Sequence, residues 1–189
     1  MAAGFGAVES VNGRMRLVKC GAVRAKRSMK LAERLRVIHE GLAAVIAEVR
    51  PDVAVVEQPF AGENLATAIA IGEARGVALL ACAAADVPVE EFSPAEIKRA
   101  VVGSGAARKE QVGLMVKALL GLAEPPRPAD ASDALAAAIC YLHRVPAQQQ
   151  TSSPPRHQDT RMTEGNSNKN DIEPPRRQGR REKQPRVLP

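Results

Sequence analysis

Aromatic residues make up only 2% of the 189-residue sequence: Phe5, Phe60, Phe92 and Tyr141, with no Trp. The core must therefore be aliphatic, and a Phe outside it needs another reason to be there. Cysteine is scarce as well. Cys20, Cys82 and Cys140 are isolated thiols without even pairing or CxxC spacing, which excludes a disulfide framework and fits a reducing compartment. His39, His143 and His157 do not cluster with them, so zinc-site spacing is absent too. No apolar run approaches the ~18 residues of a spanning helix. The first residues also lack the basic and then apolar pattern of a secretory signal. The expectation is a cytoplasmic chain with no membrane partner.

Charge of negative sign is in deficit, with 27 Lys and Arg against 21 Asp and Glu, a net +6 that favours a polyanionic partner. The excess is uneven. Residues 146–189 are built of Gln, Pro, Ser, Asn and Arg and hold nine basic against five acidic residues, so +4 of the +6 lies there. Having almost nothing apolar to bury, this segment is expected to be a disordered basic tail. Residues 1–145 are expected to form one folded domain of nearly balanced charge.

Within residues 1–145 the periodicity alternates. Gly4–Ser10 and Arg14–Val23 flank Asn12-Gly13, the strongest local signal for a hairpin. Ser28 can cap a helix whose stripe is Leu31, Leu35, Ile38, Leu42, Val45 and Val49. Val53–Val56 is a continuous apolar run of the buried parallel-strand type, and it stops at Glu57. Residues 64–85 are Ala-rich and apolar nearly all round, which predicts a helix buried on more than one face. A strand over Val87–Phe92 follows, and Ser93-Pro94-Ala95-Glu96 carries a capping residue, Pro at the first helical position and Glu at the third. Gly103-Ser104-Gly105 breaks that helix. Further helices are expected over Arg108–Leu122 and Asp130–His143. Hairpin strands followed by alternating helices and strands predict an α/β three-layer domain with a mixed sheet.

The chemistry-bearing residues are acidic. Glu57 ends an apolar strand, a position seldom filled by an acid for packing and one where α/β proteins place reactive groups. Asp130 and Asp133, three apart at the start of the last helix, project from nearly one face. Together the three form a hard oxygen site suited to Mg²⁺. The other reading of the two Asp residues is that they cap their helix and face the positive end of its dipole.

Four blocks in order carry a family resemblance: Val55-Val56-Glu57-Gln58-Pro59-Phe60, Gly72-Glu73-Ala74-Arg75-Gly76, the stretch from Ile97-Lys98 through Arg108-Lys109 to Val112, and Ala129-Asp130-Ala131-Ser132-Asp133-Ala134-Leu135. Over residues 4–143 the chain resembles the RuvC family of crossover junction endodeoxyribonucleases. The resemblance implies a ribonuclease H-like fold, a homodimer, branch-migration partners of the RuvA and RuvB type, and Mg²⁺-dependent cleavage of four-way junction DNA in recombination and repair. It makes Glu57, Asp130 and Asp133 catalytic metal ligands for two ions about 4 Å apart. Phe60 becomes an aromatic that stacks on an unpaired base, Lys98 and Lys109 become contacts near the scissile phosphate, and the small-residue helix becomes the dimer element.

One departure accompanies the match. Family members begin with a strand carrying Gly-Ile-Asp-x-Gly, whose Asp is the first catalytic carboxylate. Here Gly4-Phe5-Gly6 corresponds to a later stretch, and no Asp occurs before Asp52. The expected sheet therefore lacks its first strand. Either the start codon lies too far downstream, or the chain is a catalytically silent junction-binding protein.

Overall fold

Asn12 and Gly13 both adopt left-handed backbone, with φ of 52° and 75°, as a two-residue hairpin turn requires. They join β1 (Ala2–Val11) to β2 (Arg14–Arg24), antiparallel from Ala2↔Arg24 to Val11↔Arg14 with one register shift between Ala7 and Val8. The computed structural model describes residues 1–58 and 65–145 and the backbone of Arg186–Leu188. Helix α1 (Leu31–Val49) follows and buries Ile38, Leu42, Val45, Ile46 and Val49. Ser28 does not cap it, contrary to expectation. The first helical turn begins at Lys30, whose N–H is taken at 3.2 Å by the Glu33 carboxylate, leaving Ser28 in the preceding turn.

Strand β3 (Val53–Glu57) is buried over four residues and emerges at Glu57. Helix α2 (Leu65–Ala84) leads to β4 (Val89–Phe92), which runs parallel to β3 with Phe92 level with Glu57. Helix α3 (Pro94–Val102) starts as the sequence anticipates. Ser93 Oγ accepts from the Glu96 N–H, the Glu96 carboxylate accepts from the Ser93 N–H at 2.9 Å, and Gly103, at φ 80°, ends the helix. Helices α4 (Lys109–Leu119) and α5 (Ala129–Arg144) complete the domain.

A fifth strand, β5 (Arg186–Leu188), gives the sheet the order β2-β1-β5-β3-β4. It is antiparallel to β1 and parallel to β3, so the sheet is mixed. Two expectations change with it. The end of the segment expected to be wholly disordered pairs with the domain, and the middle of the sheet is filled. The physical reason is that two inner strand edges left unpaired strongly favour any extended segment within reach. Apolar layers cover both faces. Val8, Val53, Val55 and Phe92 pack against α3, α4 and α5 through Val101, Val116, Leu135 and Ile139. Phe5, Ala7 and Ala54 pack against α1 and α2 through Ile38, Leu42, Val45, Ala81 and Cys82. This is the three-layer α/β arrangement expected.

Helix α2 departs from expectation twice. At 20 residues and a mean hydropathy of 1.6 it is long and apolar enough to cross a membrane, so such a run does exist. Nor is it buried all round: of its residues only Ala81 and Cys82 are buried, whereas Leu65 is 74% exposed, Leu80 59%, Ile69 53% and Ile71 47%. Its lower face rests on α1 and the sheet, and among the described residues the other face is largely exposed.

Candidate active site

Glu57 emerges where β3 leaves its buried course, while Asp130 and Asp133 occupy the first turns of α5. The two elements meet because β1 is small where α5 crosses it. A Cβ built on Gly4 would lie 2.1 Å from the Asp130 carbonyl oxygen, and one on Gly6 would lie 2.6 Å from the Leu135 side chain. Glycine at these positions lets the helix lie against the strand. All three carboxylates consequently line one groove of about 740 Å³, which runs from Met1–Gly4 past Val55 to Ala70 and Arg75 of α2.

Neither Asp serves as a cap. The residue before α5 is Pro128, with no side-chain cap hydrogen bond. Asp133 instead accepts from Lys109 Nζ at 2.5 Å, and Asp130 lies 3.7 Å from the Arg24 guanidinium. Electrostatics links the group. Burial, and then the negative charge of Asp133, push the Glu57 carboxyl above its ordinary value, against the opposing pull of Lys109 and Lys98. The Lys109 ammonium is held above its ordinary value by its hydrogen bond to Asp133 and by the charges of Asp133, Asp130 and Glu57. The Lys109 ammonium thus pairs with one acid and feels the charge of all three.

Of the residues singled out in the sequence, the structure gathers Glu57, Asp130, Asp133 and Lys109 and brings Lys98 within electrostatic reach of Glu57. Phe60 lies outside the described residues. Among the described residues, no three acidic, His or Cys side chains stand close enough together to hold one ion. The donor chemistry nevertheless suits a hard cation. The candidate donors are carboxylate oxygens, Glu57 being disfavoured as an anion by burial and then by Asp133, and Asp133 is paired with an ammonium on α4. Sequence reasoning missed Arg24 and Gly4. Arg24, at the end of β2, has no local signature, whereas Gly4 and Gly6 on one strand are the kind of signal that marks a close helix crossing.

A mixed sheet with helices on both faces, and carboxylates at a central strand end and a helix start, defines the class: the nucleases of the ribonuclease H-like fold. The family model described as "Crossover junction endodeoxyribonuclease RuvC" matches residues 1–141, and the chain belongs to the RuvC family. Among relatives so named, that of Chloroflexus aurantiacus is 49% identical over 146 residues, covering 77% of this chain and 89% of its own. That of Halorhodospira halophila is 52% identical over 141 residues, covering 74% and 83%. Among solved structures, Thermus thermophilus RuvC in complex with a Holliday junction substrate matches with a TM-score of 0.69 and 35% identity over 74% of this chain and 86% of that one. A second Thermus thermophilus RuvC structure gives 0.65 and 33%, covering 76% and 94%. Nothing in these comparisons favours the catalytically silent alternative.

Proposed function

We propose that this chain is a Mg²⁺-dependent endonuclease that resolves four-way Holliday junctions during homologous recombination and DNA repair. The observation that carries the reading is the convergence of Glu57, Asp130 and Asp133 on one groove, with Lys109 paired to Asp133, Arg24 near Asp130, and Lys98 within electrostatic reach of Glu57. Glu57, Asp130 and Asp133 would hold the metal, which when bound would supply Lewis-acid chemistry for water activation and for charge on the phosphoryl group. Lys109 and Lys98 supply countercharge to the scissile phosphate, a role supported by the Lys109–Asp133 ion pair and by the pull of both lysines on Glu57. Phe60, two residues beyond Gln58, stacks on a base unpaired at the crossover, a contact worth ~1–3 kcal/mol.

The exposed apolar residues of α2, Leu65, Ile69, Ile71 and Leu80, form the face on which two copies pair as a homodimer, matching the symmetry of a four-way junction. This accounts for the apolar helix within the domain, with no membrane partner. The protein works in the cytoplasm, beside branch-migration partners of the RuvA and RuvB type.

The test is isosteric. Glu57→Gln, Asp130→Asn and Asp133→Asn each remove a metal-binding charge with little change of shape. Each should abolish Mg²⁺-dependent cleavage while leaving junction binding within a few fold. Cleavage retained by all three would place the metal site elsewhere.

A further inference from the structure

Between Glu9 and Glu33 the chain carries no acid, and its cations gather in one place: Arg24, Lys26, Arg27 and Lys30 fall within seven residues that end β2 and lead into α1. No other seven-residue stretch of residues 1–145 is as basic, and without these four cations residues 1–145 would be net acidic. Whatever attraction the domain offers a polyanion is therefore local. Ala25 is buried and Met29 packs on the same apolar layer, which ties the connection to the domain while the four cationic side chains stay exposed. Cations on either side of the strip are neutralised, Lys19 by Glu48 at 2.5 Å and Arg36 by Glu40 at 3.0 Å. Lys26, Arg27 and Lys30 form no ion pair among the described residues.

The strip begins at the acids. Arg24 stands 3.7 Å from Asp130, a loose pairing of two exposed side chains. Lys109 reaches Asp133 from α4, on the face of the sheet that α5 covers, whereas Arg24 reaches Asp130 from the end of β2, and the residues behind it lead to α1 on the opposite face. A DNA strand is longer than the acid cluster, and the carboxylates repel its backbone on both sides of the scissile phosphate. Unpaired cations that start at Asp130 offset that repulsion, and phosphate contacts of this kind fix the position of a nucleic acid without reading its sequence.

We propose that the connection Arg24–Lys30 is a second phosphate-binding surface of the site: Arg24 contacts the cleaved strand next to Asp130, and Lys26, Arg27 and Lys30 follow the backbone of that arm away from the acids. The inference rests on the proposed reading of Glu57, Asp130 and Asp133 as a junction-cleaving site.

The experiment uses the full chain and a mobile four-way junction. Binding is measured in EDTA by fluorescence anisotropy from about 50 to 200 mM salt, where each phosphate contact contributes about 0.9 to the log–log slope. Lys26→Gln, Arg27→Gln and Lys30→Gln combined should lower that slope by about 2–3, and in Mg²⁺ should raise KM with kcat within about twofold. Arg36→Gln, which breaks a surface ion pair further along α1, should leave the slope unchanged. Arg24 is tested from the DNA side, which leaves the protein's fold untouched. With one phosphate at a time replaced by a neutral methylphosphonate, one position beside the cut should cost the parent about 10-fold in affinity and the Arg24→Gln variant nothing further. A triple variant that keeps the parent's slope, an Arg36→Gln variant that loses as much slope as the triple, or methylphosphonate and Arg24→Gln losses that multiply at every position would each overturn the inference, while cleavage by the parent would leave the proposed function standing. A parent chain that cleaves no junction would overturn the proposed function and this inference with it.

Discussion

Gly4→Ala probes the contact that brings the α5 carboxylates to the sheet. A Cβ at this position would lie 2.1 Å from the Asp130 carbonyl oxygen, 2.4 Å from its carbonyl carbon and 2.8 Å from its Cβ. The first two are backbone atoms and cannot rotate away, so strand and helix must separate by about 1.3 Å to reach ordinary contact, an overpacking that typically costs about 1–3 kcal/mol. For a domain of this size that corresponds to a fall in Tm of roughly 3–12 °C, read by calorimetry or circular dichroism. The displaced residue is itself a proposed metal ligand. A misplacement of ~1 Å at reacting groups costs ~100-fold in rate, so junction cleavage should drop by about that factor, well beyond what a melting shift alone produces at 25 °C. Tm within a degree of the parent and cleavage within twofold would refute the claim that the Gly4–Asp130 approach sets the site.

Three further outcomes follow from the same geometry. The Glu57 carboxyl is raised, chiefly by burial and then by Asp133, so the folded chain favours its protonated form and its ionisation costs stability at neutral pH. Glu57→Gln should therefore raise the Tm of the metal-free protein at pH 7, with the gain disappearing as pH falls below the ordinary range for Glu; a gain that persists in acid would contradict this. Ser93→Ala removes the Oγ that accepts from the Glu96 N–H and donates to the Glu96 carboxylate, keeps the backbone N–H that donates to that carboxylate, and should cost about 0.5–2 kcal/mol in chemical denaturation. The Ser93 backbone N–H, then the Ser93 hydroxyl, then Arg144 hold Glu96 at about 2, so stability from this cluster is present above the ordinary Glu pKa and is lost as pH falls toward 2; Ser93→Ala, which removes only the hydroxyl's share, should make that acid limb shallower without abolishing it. Ile69→Glu, on the exposed face of α2, should convert a dimer to a monomer in analytical ultracentrifugation with little change in Tm, because about half of the side chain is exposed among the described residues. Unchanged mass would exclude this face as the dimer contact.

Much of the fold was legible because its signals are local. Asn12-Gly13 gave the hairpin, the run Val53–Val56 gave the buried strand that ends at Glu57, and Ser93 with Glu96 gave the start of α3. The site was legible for a related reason: an acid at the end of an apolar strand, and two acids a helical turn apart, each stand out against their own neighbours. What escaped depends on distance along the chain. Nothing in Arg186–Leu188 marks it as a central strand, since its partners Val8 and Val53 lie far away in sequence and its own neighbourhood is polar. The Lys109–Asp133 and Arg24–Asp130 pairs likewise join elements whose meeting is decided by packing. The apolar circumference of α2 was legible as a composition, but whether its partner lies inside the domain or beyond it is not written in periodicity.

The central claim is that these carboxylates make a metal-dependent nuclease that reads junction structure. Its most direct measurement is cleavage by the full chain of a mobile four-way junction beside a linear duplex of the same sequence, in Mg²⁺ and in EDTA. The account predicts paired nicks in opposing strands at the crossover in Mg²⁺, none in EDTA, and an intact duplex throughout. An uncut junction in Mg²⁺, or a duplex cut as readily as the junction, would contradict it.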